Sequence, residues 1–112
     1  MTDKIVVLVT CGKREEAEQL ARSLVEMRLA ACVNVTSGVI SFYWWEGKVT
    51  RDEEILLIIK TSRPRFDELR KEVQHQHSYS VPEIIALPIV EGSEEYLNWL
   101  GDSLAGEGEP KA

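Results

Sequence analysis

Clustered basic residues are missing from this chain of 112 residues, in which 13 Lys and Arg are scattered among 19 Asp and Glu for a formal charge of −6. A nucleic-acid backbone is thereby excluded as a partner, because binding one takes grouped cations that displace its counterions. The acidity favours dispersal in water and suits a protein that meets cations. No apolar run approaches the roughly eighteen residues a membrane span needs, and Met-Thr-Asp-Lys leads straight into a strand-like run without the basic region and cleavage site of a signal peptide. A cytoplasmic location is the expectation. Cysteine is scarce: Cys11 and Cys32 are too few for a disulfide framework, and their spacing matches no zinc pattern, so free thiols are expected. Glycine-rich phosphate loops, nucleophile elbows and metalloprotease motifs are absent, and the reading is of a protein that is not an enzyme.

What the chain does contain is a series of short elements. Ile5 to Thr10 (IVVLVT) is a continuous β-branched apolar run, as in a central strand. From Arg14 to Met27, Ala17, Leu20, Ala21, Leu24 and Val25 fall on one helical stripe, with Glu15 and Glu16 in the first turn where the dipole favours them. A second strand starts near Ala31, with Gly38 as a bulge or bend and Glu46-Gly47 as a tight turn into a returning strand. That strand holds the polar stretch Thr50 to Glu54, then the apolar run Ile55 to Ile59. Pro64 marks a helix with Phe66, Leu69 and Val73 inward, and His75 to Pro82 reads as a loop. A strand over Glu83 to Ile89 and a short helix capped by Ser93 complete the order. Residues 1–105 read as one domain and 106–112 as a polar, disordered tail.

The order β-α-β-β-α-β-α fits an α+β, ferredoxin-like βαββαβ sandwich with a long hairpin between its second and third strands and a short C-terminal helix. A globule of this length measures roughly 34 Å across, whereas Gly47 to Thr61, fully extended, spans about 50 Å. The overhang carries Ser41-Phe-Tyr-Trp-Trp-Glu-Gly47. An aromatic ribbon and an open apolar sheet face both call for cover, and with no spare helix in the chain the expected cover is other copies.

The motifs Leu29-Ala-Ala-Cys-Val-Asn34, Ser41-Phe-Tyr-Trp-Trp-Glu-Gly47, Ile59-Lys-Thr61, His77-Ser-Tyr-Ser-Val-Pro-Glu-Ile84, Ala86-Leu-Pro-Ile89 and Tyr96-Leu-Asn-Trp99 together resemble the CutA family of divalent-cation tolerance proteins. The resemblance implies a homotrimer whose sheets pack around a threefold axis, with the hairpin reaching onto neighbouring subunits. It also implies binding of divalent cations such as copper. The architecture is similar to that of trimeric PII signalling proteins, an analogy that suggests an organic ligand at subunit clefts as the alternative. Ser78 departs from the His-Pro-Tyr common in the family. Val9 and Gln76 stand where copper-binding members carry a cysteine and a second histidine, so His77 is the surviving counterpart.

Among candidate metal ligands, His77 and His75 would lie on one side of an extended loop, within chelating reach. The competing reading of His77 is a structural hydrogen bond at an interface. Cys32 is either a soft ligand or a small buried hydrophobe, and Cys11 is expected to be exposed. Lys60, Tyr79 and Glu83, with His77, are expected to line a ligand cleft, or to form ion pairs that fix trimer geometry. Tyr43, Trp44 and Trp45 are read as trimer-interface anchors. Cys32, His77 and Glu83 could be arranged as a catalytic triad, but nothing in the sequence brings them together.

Overall fold

Alternation along the first strand sets the architecture. In the computed structural model, which describes residues 2–106, β1 (Lys4–Cys11) points Ile5, Val7, Val9 and Cys11 into the core and Lys4, Val6, Leu8 and Thr10 to the other side. The remaining elements are α1 (Arg14–Glu26), β2 (Cys32–Trp45), β3 (Lys48–Ser62), a 3-10 turn over Arg63–Arg65, α2 (Phe66–Gln76), β4 (Ile84–Pro88) and α3 (Glu94–Ala105). The antiparallel sheet has the order β2-β3-β1-β4, which is the ferredoxin-like arrangement expected from the element order. Leu57 and Ile59 stand opposite Val9 and Val7 and join Ala17, Leu20 and Leu24 of α1 and Leu69 and Val73 of α2 in one buried cluster.

The hairpin closes on two residues, with Trp45 opposite Lys48. Glu46 and Gly47 have successive positive φ values of 48° and 78°, the left-handed pair that a tight two-residue hairpin turn requires. Gly38, at φ 82°, lies in the register shift between Thr36 and Val39, so the expected bulge is real. The ribbon lengthens the molecule to 47 × 26 × 26 Å. Its tip is in solvent, with Phe42 at 68% and Trp44 at 73% exposure.

Four expectations are corrected. The segment from His75 is not all loop, because α2 continues through Gln76. Beyond Val73 its last turn has no apolar residue and is carried by polar bonds instead: Gln76 donates to Glu72, and the His77 amide closes on the Val73 carbonyl. The last strand is shorter than Glu83 to Ile89 and leaves Glu83 outside it. Gly106 belongs to the fold, as the left-handed C-cap of α3, while the rest of the expected tail lies outside the described residues.

The fourth concerns the second face of the sheet, which is partly covered by the chain itself. Gly101 of α3 lies within about a methyl contact of Lys4, on the side opposite the main cluster, and Leu100 and Leu104 are buried apart from that cluster. Arg28 and Arg65 donate to the Ser103 and Leu104 carbonyls. They supply the positive charge that the last turn of α3 lacks. Beyond this end the face stays open: Ile85 and Leu87 are each 49% exposed.

Candidate functional site

Polar side chains converge where β1 ends. The His77-Ser78-Tyr79 segment leaves α2 and crosses the end of β1, the middle of β3 at Glu54 and the first turn of α1. His77 has a fully buried side chain, and its Nε2 lies 2.7 Å from the Thr10 carbonyl oxygen. Its Nδ1 accepts the Tyr79 amide at 3.0 Å. An amide can only donate and a carbonyl can only accept, so the ring proton sits on Nε2 and both nitrogens are engaged.

Glu16 closes the other side of the segment. Its carboxylate accepts the Ser78 amide at 2.6 Å and the Ser78 hydroxyl at 2.9 Å. A proline at 78 could make neither bond. Glu16 also approaches His77 Nδ1 at 3.6 Å, too far for a hydrogen bond.

The Tyr79 hydroxyl donates to Glu54 at 2.9 Å, and Glu54 is buried. Burial, then the hydrogen bond to Glu54, raises the phenol well above its ordinary value, so it remains a donor. The ring lies against Gly12, where a Cβ would come within 2.8 Å of the hydroxyl. Along the hairpin, the Tyr43 hydroxyl donates to Asp52, a bond that raises the Tyr43 phenol.

Cys11 differs from expectation: it is fully buried, because strand alternation turns it inward beside Val9 and under α1. Burial, with the Glu16 and Glu54 carboxylates adding to it, pushes the thiol up to about 11. Such a thiol is a poor nucleophile and a poor ligand at neutral pH.

The other singled-out residues are dispersed. His75 is exposed and faces a polar groove of about 430 Å³ between α1 and α2, together with Glu16, Gln19, Ser23, Glu72 and Gln76. Cys32 pairs with Lys60, on the face of the sheet opposite the core, and Lys60 donates to Asn34. Lys60 stands opposite Val6, four residues from the Leu56–Thr10 pair, roughly 13 Å along the strand from the carbonyl that His77 holds. Glu83 is exposed, next to Ile84, whose partner is Val9. Within one chain, therefore, Lys60 does not meet His77 and Tyr79, and Cys32 does not join His77 in a nucleophilic arrangement. Tyr43, Trp44 and Trp45 stay together at the solvent-exposed tip.

Glu16, Glu54 and Gly12 were not singled out from sequence as site residues. Glu16 reads there as a dipole-favoured residue of the first helical turn, and Glu54 as one charge in a polar run. The one available signal was an acidic residue directly before the apolar run Ile55 to Ile59.

The profile of the CutA1 divalent ion tolerance protein family matches residues 5–103. The chain belongs to the CutA1 family. It is 50% identical over 98 residues to the divalent-cation tolerance protein CutA of Thermus thermophilus, covering 88% of this chain and 95% of that one. It is 52% identical over 99 residues to the chloroplastic CutA of Arabidopsis thaliana, but spans only 54% of that relative's length. The crystal structure of CutA1 from Oryza sativa superimposes with a TM-score of 0.88 at 51% identity, covering 89% of this chain and 92% of that one.

The family description raises the question of whether a divalent ion fits here. Among the described residues no group of three or more His, Cys, Asp or Glu is placed to hold one. No buried side-chain nitrogen or oxygen among them lacks a partner that a metal could replace. Within one chain, the described side chains therefore do not form a resident metal centre. Nor is any helix among the described residues long and apolar enough to cross a membrane.

Proposed function

We propose that the chain works as a cytoplasmic homotrimer contributing to divalent-cation tolerance, without catalysis, and that it takes up ions such as copper loosely, as cargo. The observation that carries the assembly is the open face, where Val6, Leu8, Leu56, Ile58, Ile85 and Leu87 share one side of the sheet without full cover. The hairpin adds an exposed aromatic tip beside that face. The cation role is supported by family membership. His75 supports it as the exposed imidazole, in a polar groove that Glu72 also lines.

Sedimentation equilibrium at micromolar concentration tests the assembly, with a mass of three chains expected and a stable single chain counting against it. Calorimetric titration with Cu(II) tests the cargo: weak binding that falls at least tenfold in His75→Ala is expected. Equal binding in the two proteins would remove His75.

The alternative is an organic ligand bound between subunits. Lys60 lies at one end of the sheet and Tyr79 and Glu83 at the other, so such a cleft would combine Lys60 of one copy with Tyr79 and Glu83 of the next. Thermal shifts produced by small acids or nucleotides, and not by metals, would favour it.

A further inference from the structure

We propose that Glu16, Ser78 and His77 form a hydrogen-bonded latch that seats the Tyr79 phenol on Glu54, and that His77 is a positioning group and not the metal ligand its family counterpart suggests. The imidazole has no lone pair to give: Nδ1 receives the Tyr79 amide and Nε2 donates to the Thr10 carbonyl. Coordination through Nδ1 would orphan a backbone donor, and coordination through Nε2 would break the bond to β1.

The latch has three anchor points on three different elements. Glu16 of α1 grips Ser78 by both its amide and its hydroxyl. Thr10 of β1 holds the imidazole edge. Glu54 of β3 takes the phenol, which Gly12 admits because it has no side chain. Tyr79 is thus aimed by bonds on both of the preceding residues, and the ring pair His77–Tyr79 packs at 4.7 Å. A segment that leaves a helix with few apolar contacts is fixed instead by a fully satisfied polar network. Ser78 takes over the restraint that a proline would give, through two bonds that only a non-proline residue can make.

This inference shares Glu16 with the groove at His75 but requires neither the trimer nor cargo binding there, and its test reads different atoms. In nitrogen-15 spectra of the full chain, His77 should show a protonated Nε2 and a bare, hydrogen-bonded Nδ1, and saturating Zn(II) should move neither. A Zn(II)-induced coordination shift at either nitrogen overturns the proposal. In amide exchange, Glu16→Ala should speed Ser78 and Tyr79 by about tenfold, the scale of one lost hydrogen bond to a charged carboxylate. The Val7 and Val9 amides should stay protected, showing that the fold survives. Ser78→Ala, which removes only the hydroxyl, should give a smaller change in the same direction. Unchanged exchange at Ser78 and Tyr79 in Glu16→Ala overturns the latch.

Discussion

The two faces of the sheet are built from nearly the same residues and end in different states. On one, Val7, Val9, Leu57 and Ile59 are completely buried. On the other, Val6, Leu8, Leu56 and Ile58, their immediate neighbours in the chain, are only half-buried, and Ile85 and Leu87 are half-exposed. Hydrophobicity therefore does not separate the faces; the cover does. Two amphipathic helices span the first face, whereas α3 reaches only the Lys4 end of the second. A continuous apolar run such as IVVLVT marks both faces as apolar, but does not say which one the chain covers by itself.

The sharpest break of this comparison is a charge placed on the open face. Leu8→Asp leaves the helix-covered core intact but would bury an unpaired carboxylate between copies, at about 3 to 5 kcal/mol per copy. Sedimentation should show the proposed trimer dissociating at micromolar concentration. An unchanged mass would mean that this face is not the contact.

The matching change on the closed face acts on the protomer. Leu57→Ala should cost about 3 kcal/mol of folding stability, transfer and cavity terms together, read as a lower midpoint of chemical denaturation.

Cys11, at the end of the closed face, allows a comparison by pH. Its thiol is raised from 9.0 to about 11, so between these values the unfolded chain releases a proton that the folded chain keeps. Stability from this group is complete below pH 9 and is lost as pH rises through 11, by roughly 2 to 3 kcal/mol. The raised Tyr79 phenol adds a fall of the same sign at higher pH. In Cys11→Ala, the decline between pH 9 and 11 should flatten.

The smallest effect belongs to the junction of the two faces. Gly12→Ala would push the Tyr79 hydroxyl off the buried Glu54 carboxylate, so the cost should be about 1 to 2 kcal/mol, the scale of one lost hydrogen bond. The expected signal is a change in near-ultraviolet dichroism as the phenol leaves Glu54.

Much of the fold was legible because its signals are local. The stripe from Ala17 to Leu24, Ser93 as an N-cap that accepts the Tyr96 amide, Gly38 at the bulge and Glu46-Gly47 at the turn each depend on a few adjacent residues. The candidate site was less legible because its bonds join distant positions. Glu16 and Ser78 are separated by 62 residues, and His77 and Thr10 by 67. His75 and His77, two apart in sequence, diverge because the helix runs one turn further than its apolar pattern.

The sequence by itself determined the elements, their order, the ferredoxin-like class and membership of the family, since periodicity, caps and turn residues act over short spans of chain. Only the tertiary structure decided that Cys11 is buried, that the imidazole of His77 is fully engaged, and that α3 shields one end of the second face. Those outcomes depend on which donors, acceptors and apolar surfaces the folded chain brings within a few ångströms of one another, and no local pattern encodes that proximity.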